Sequence, residues 1–266
     1  MQANPAPTTL VDLHSHVLPE LDDGAEDTEM TLAMLRLSAE RGVTAIVATP
    51  HSQIVANHGG LGVFNERFGR TRALLDEHSI PIELLRGMEV RLAPAVPDLL
   101  STGAYLTLND TSTVLVEFDY TQWATYSEKV LFDIAVRGYV PLLAHVERIV
   151  PLQEQPERVR RFVEIGYHTQ ITAMSLLGGF GPKAQETALT LLGWGVVHAV
   201  ASDMHRATGN RQPMPEGTLD RLTEIVGEDA AHLLLYTNPA ALVGGEPVSP
   251  VDPGPAKRRR WGFLPF

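Results

Sequence analysis

The 266 residues, 44% apolar and 20% charged, suit one α/β unit with a real core and exclude wholesale disorder or collagen-like repetition; α/β barrels often occupy about 250 residues as a single domain. The chain has no cysteine, which excludes disulfides, zinc fingers and cysteine-based phosphatase chemistry. Its formal charge is −11; Lys257, Arg258, Arg259 and Arg260 contribute +4 and leave −15 on residues 1–256, a body that repels nucleic acid and phosphate unless strong positive charge is added.

Residues 1–8 read as a polar tail, 9–243 as one domain, and 244–266 as a Pro/Gly-rich tail ending in the basic stretch KRRRWGFLPF. No signal peptide and no run of 18 apolar residues is present, so a cytoplasmic location without a transmembrane segment is expected. In chain order, short β-branched runs alternate with amphipathic stretches. A strand over Thr9–Leu13 precedes a helix over Thr28–Arg41, whose Met30, Ala33, Met34 and Leu37 share one face and whose start Asp27 or Thr28 can cap. Strand Val43–Ala48, a helix near residues 64–78 and strands Ile82–Glu89 and Thr113–Phe118 follow. Next come helix Tyr126–Arg137, strand Val140–Ala144, helix Glu157–Ile165 and strand His168–Ile171. Helix Pro182–Gly193, strand Val196–Ala201 and two helices after Thr218 complete the pattern. Such alternation predicts right-handed βαβ units and parallel strands, hence an α/β fold, a distorted seven-stranded barrel, with an open doubly wound sheet as the alternative.

Six of these seven strands end in residues that are costly to bury without partners. The first leads into His14 and His16, with Asp23 in the following loop; the second ends at His51, the third at Glu89. Glu117 lies in the fourth, His145 follows the fifth, and Asp203 and His205 follow the seventh. In a parallel barrel these ends converge on one mouth, so nine imidazoles and carboxylates there predict a polynuclear metal site.

The segments DLHSHVLPELDDGAED, IVATPHS, GMEVRL, LVEFDY, LLAHVER, QITAMSL and ASDMH carry a more specific likeness. Their order and content resemble the bacterial metal-dependent protein-tyrosine phosphatases of the CpsB/CapC/YwqE type in the polymerase-and-histidinol-phosphatase superfamily, from about Val11 to Asn238. The resemblance implies three divalent ions, usually manganese, with iron or zinc compatible with the same mixed donors. It places one ion on His14, His16, Glu89 and Asp203, a second on Glu89, Glu117 and His145, and a third on Asp23, His51 and His205. Arg148 and Arg211 match its phosphate-binding arginines. Four positions depart from the family pattern: Ser52 replaces a histidine, Val146 a proline and Met174 a glycine, and the loop from His205 to Arg211 is one residue longer.

Three divalent ions against the carboxylates of Asp23, Glu89, Glu117 and Asp203 leave +2, which suits a phosphate dianion. The implied reaction is hydrolysis of phosphotyrosine by a hydroxide held between ions, with His51 or His205 as further candidates for proton transfer. The implied partner is the tyrosine-rich tail of a bacterial kinase that controls capsule or exopolysaccharide assembly. Alternatives are a histidinol-phosphatase-like small-molecule phosphatase and a non-catalytic, metal-bound binding module. Other readings concern the surroundings. Arg91 can orient Glu89 or form an ordinary ion pair, and Asp12 can hold an imidazole. Tyr120, Trp123 and Tyr126 can line an aromatic rim or pack in the core, and the basic tail can touch an anionic membrane surface.

Overall fold

In the computed structural model, residues 9–252 are described. The basic tail and its expected membrane contact lie outside them, as does the expected tail 1–8. Among the described residues no helix is long and apolar enough to cross a membrane.

Eight parallel strands form two sheets. β1 (Leu10–Ser15), β2 (Val43–Ala48) and β3 (Glu83–Arg86) make one; β4 (Glu89–Arg91), β5 (Thr113–Glu117), β6 (Val140–Leu143), β7 (His168–Thr172) and β8 (Ala199–Ala201) make the other, each in that order. The expected α/β fold of parallel strands is present, but the described residues form eight strands rather than the seven expected, and neither sheet closes on itself. The apolar run predicted as one strand over Ile82–Glu89 breaks at Gly87-Met88 because it changes partner, β3 pairing with β2 and β4 with β5. A Cβ at Gly87 would lie 2.9 Å from Val47 and 3.0 Å from Leu108, so the break needs a residue without a side chain.

Two bridges join the sheets, Ser15 beside Met204 and His51 beside Glu89. The amides of His16 and Asp203 reach the carbonyls of Met204 and His14 at 2.9 and 3.0 Å, and Glu89 N–H donates to Pro50 at 3.2 Å. All of these bonds lie just beyond, or at the tips of, the strands that carry the candidate ligands.

Leu13, Val47, Leu115, Leu142 and Ala201 form a small apolar cluster, packed together with Leu242 and Val243 of the helix Asn238–Gly244. A larger one, including Ile46, Val116, Leu143 and Val200 of the strands and Leu35, Ile134 and Leu191 of the helices, packs the two layers together. Each such side chain contributes on the order of 1.5–3 kcal/mol by leaving water. The helix Thr28–Glu40 is capped by Asp27, which accepts from Met30 N–H at 2.7 Å. Its buried face is Thr31, Met34, Leu35 and Ser38, rotated from the expected one. The two hydroxyls tolerate burial because they donate to the carbonyls of Val17 and Met34. The packed chain also continues past the expected boundary at Gly244: Ser249 N–H donates to Asn238 at 3.0 Å, and Val251 is buried.

Candidate metal centre

The register of β1 against β2 shifts between Asp12 and Ser15, so a regular strand does not carry the HxH pair. The pair converges nonetheless: Nε2 of His14 and of His16 are 3.2 Å apart, and Glu89 Oε2 lies 3.3 Å from each. Asp203 Oδ1 completes this group at 3.4 and 3.6 Å. Asp23 Oδ1 is 3.3 Å from Nε2 of both His51 and His205, and 4.0 Å from His16. His51 turns its Nδ1 to Glu89 at 2.9 Å and to Glu117 at 3.6 Å, while His145 meets the other Glu89 oxygen at 2.8 Å.

All nine residues expected at the strand ends therefore meet in one cluster, centred on Glu89. The tightest groupings differ from the expected ones: Glu117 assembles with His51 and Glu89 while His145 stands outside that triplet, His16 joins Asp23, His51 and His205, and Asp203 lies just outside the group of His14, His16 and Glu89. Two of the nine, His145 and Asp203, hold left-handed backbones at φ 34° and 53°, a conformation that costs non-glycine residues about 1–3 kcal/mol and recurs at functional sites.

Burial works against every charge here. It opposes ionisation of Glu89, but His14, His145 and His16 around it hold its carboxyl well below the usual range. Burial and the nearby Glu89 push Glu117 up to about 7. Burial likewise resists protonation of His16, yet Asp22 and Glu89 raise it to about 9. Burial holds His145 down at about 4, and burial with the neighbouring His16 does the same to His205, so both rings stay neutral and offer lone pairs. Glu117 Oε2 is buried without a hydrogen-bond partner. An orphaned carboxylate oxygen among imidazoles, with further carboxylates converging, is a donor set that fits first-row divalent cations such as manganese, iron or zinc.

Sequence reading missed several supporting residues. Asp22, whose side chain is buried beside the expected Asp23, accepts from His16 Nδ1 at 2.6 Å and from His51 N–H at 3.0 Å. Gly24 follows because a Cβ there would sit 2.1 Å from the His16 carbonyl oxygen. Gln170 Oε1 lies 3.2 Å from His14 Nδ1 and accepts from His145 N–H at 3.3 Å. Asp12 holds no imidazole; both its oxygens take the Ser202 amide and hydroxyl. Arg91 pairs with the exposed Asp119 rather than with Glu89. Trp123 packs against Phe118 and Phe162, and Tyr126 is exposed, so of the expected aromatic rim only Tyr120 stands at the cluster, its hydroxyl 3.3 Å from His145 Nε2.

Arg148 and Arg211 both grip Asp203, Arg148 through Nη1 and Arg211 through Nη2 at 3.0 Å from each oxygen. The Arg211 backbone is held in place, its carbonyl accepting from the amides of His205 and Arg206. The guanidinium carbon of Arg148 lies 5.0 Å from the Tyr120 ring centre and 4.1 Å from that of Phe180, a residue no sequence motif singled out.

Over 256 residues the chain is 32% identical to tyrosine-protein phosphatase YwqE of Bacillus subtilis, covering 96% of this chain and all of that protein. It is 29% identical to tyrosine-protein phosphatase CpsB of Streptococcus pneumoniae over 239 residues, covering 88% and 98%. A solved chain from the crystal structures of YwqE from Bacillus subtilis and CpsB from Streptococcus pneumoniae, described as unique metal-dependent tyrosine phosphatases, superposes with a TM-score of 0.86. Identity to that chain is 31%, with 94% of this chain and 100% of that one covered. Residues 10–244 match the family described as capsular polysaccharide synthesis, CpsB/CapC, and the chain belongs to it.

Proposed function

We propose that the protein is a metal-dependent phosphatase that hydrolyses phosphotyrosine in proteins. The observation that carries this reading is the convergence of nine imidazoles and carboxylates, eight of them gathered about Glu89, with two arginines on Asp203 at the edge. His14, His16, Glu89 and Asp203 would hold one divalent ion; Glu89, Glu117 and His145, with His51 beside them, a second; Asp23, His51 and His205 a third. Manganese is the first candidate, with iron or zinc open. When bound, such ions lower the pKa of coordinated water and withdraw charge from a phosphoryl group.

The chain's own residues supply the rest. Arg148 and Arg211 present planar donor forks that suit two oxygens of a phosphate monoester, and their charge stabilises the transition state. Asp203 restrains both guanidinium groups, so they are oriented before substrate arrives. Asp22 fixes the tautomer of His16, and Gln170 ties His14 to the loop of His145. A phenol leaves with a pKa of about 10 and needs little protonation. His51 and His205 are the residues placed to move a proton if one is needed. The tyrosine-rich tail of a bacterial kinase in capsule or exopolysaccharide assembly is the proposed target, and the cytoplasm the proposed location.

The test is hydrolysis of p-nitrophenyl phosphate and of a phosphotyrosine peptide. Activity is expected to vanish in EDTA and to return with Mn²⁺; full turnover in excess chelator would overturn the proposal.

A further inference from the structure

Phe180 lies in the turn Gly178-Gly179-Phe180-Gly181, between the short helix Ala173–Leu176 and the helix Pro182–Gly193. The turn is tightly fixed. Gly178 and Gly181 have φ of 84° and 89°, which only glycine adopts freely. Gly179 N–H donates to Met174 at 3.0 Å, and Gly181 N–H to Gly178 at 3.0 Å. A Cβ at Gly179 would come within 2.3 Å of Met174 Cγ, so Met174 lies directly against this turn. The Gly179 carbonyl accepts from Asn210 at 2.7 Å, next to Arg211. One turn thus touches the neighbour of one arginine and, through the half-buried Phe180 ring, the guanidinium of the other.

Tyr120 flanks the same guanidinium at 5.0 Å and stacks on His145 with a centroid separation of 5.2 Å and a 20° tilt. A phosphate held by Arg148 would therefore have two aromatic rings close by. An aryl ester puts a flat ring within a few ångströms of its phosphorus, where it can pack against the edge or free side of one of these rings; an alkyl ester such as phosphoserine has no ring to offer. We infer that Phe180 is a specificity-determining residue that favours aryl over alkyl phosphate monoesters at this site. The inference rests on the phosphatase reading above and adds the residue that selects the substrate class.

Phenylphosphonate and methylphosphonate share the charged group and differ in the ring, so their binding separates ring contact from phosphate contact. Calorimetric titration of Mn²⁺-loaded wild type, Phe180→Leu and Phe180→Trp is the experiment. In wild type the phenyl compound binds more tightly. Phe180→Leu narrows the ratio by about three- to tenfold with methylphosphonate unchanged, and Phe180→Trp keeps it. Equal weakening of both ligands by Phe180→Leu shows that Phe180 acts only through Arg148 and overturns the inference, as does an unchanged ratio. The parent reading fails separately: wild type that does not turn over p-nitrophenyl phosphate with Mn²⁺ defeats it and this inference together. An active wild type with an unaltered phosphonate ratio in Phe180→Leu defeats this inference alone.

Discussion

Asp22 Oδ2 and His16 Nδ1 stand 2.6 Å apart in the interior, and this contact turns His16 Nε2 toward Glu89 and His14. The same oxygen accepts the backbone N–H of His51, so one carboxylate orients two strand ends. A residue outside the proposed ligand set thereby governs how those side chains are presented.

Replacing Asp22 with Ala is expected to weaken Mn²⁺ binding by about 10–100-fold, because partners behind a ligating imidazole typically carry that much affinity. Titration of the chelated protein with Mn²⁺ measures it, and wild-type affinity in the variant would count against the role of Asp22.

Gly24→Ala forces a methyl group against the His16 carbonyl, where the Cβ would sit at 2.1 Å, and backbone has to move. The expected outcome is a loss of metal affinity together with a destabilisation of about 1–3 kcal/mol in chemical denaturation. A variant with unaltered stability and metal content would show that the loop relaxes freely.

Arg148→Ala is expected to lower kcat for p-nitrophenyl phosphate by about 10²–10³-fold, the usual loss when one donor to developing charge is removed. Arg148→Lys should recover little, since an ammonium cannot present a planar fork or stack between Tyr120 and Phe180. Steady-state kinetics with matched metal content decides, and a lysine variant near wild-type activity would contradict the bidentate role.

His198 is not among the residues of the candidate metal centre, and burial with the nearby His168 pushes its ring down to about 3. Its Nδ1 accepts the Thr169 N–H at 3.1 Å, so the folded state keeps the ring neutral. The unfolded ring titrates near 6.5, and the unfolded chain therefore takes up a proton first as pH falls. Stability from this residue is complete above pH 6.5 and is lost progressively toward pH 3. In chelated protein, His198→Asn keeps an acceptor at the same branch but cannot protonate. Between pH 6 and 4 its denaturation free energy should fall by roughly 1–3 kcal/mol less than that of wild type. Parallel curves for the two proteins would refute the assignment.

The convergence of the proposed ion-holding residues was legible in the sequence for a physical reason: all but the loop residue Asp23 lie at the end of an apolar run or just past it, and a charge placed there needs a partner that the other strand ends can provide. Asp22 was not, because beside Asp23 it has the same composition and only the three-dimensional path of the loop separates ligand from orienting acceptor. Gln170 hid inside a strand as an ordinary polar residue. Phe180 sat in a glycine-rich turn with no periodicity to reveal what its ring faces. The break at Gly87 escaped because an apolar run looks alike whether it keeps one neighbouring strand or exchanges it for another. The face of the first helix was misplaced by counting Thr31 and Ser38 as polar, although each satisfies its hydroxyl within the backbone.

The two sheets meet through single bridges at Ser15–Met204 and His51–Glu89, each set among the proposed ion-holding side chains. Ions lodged there would act as clasps on both seams, drawing together chain segments that backbone pairing alone secures thinly. Chelation is then a mechanical event as well as a chemical one. The amides of His16 and Glu89 should exchange their hydrogens for deuterium sooner once the clasps are undone, while the amides inside β5 and β6 keep their pace.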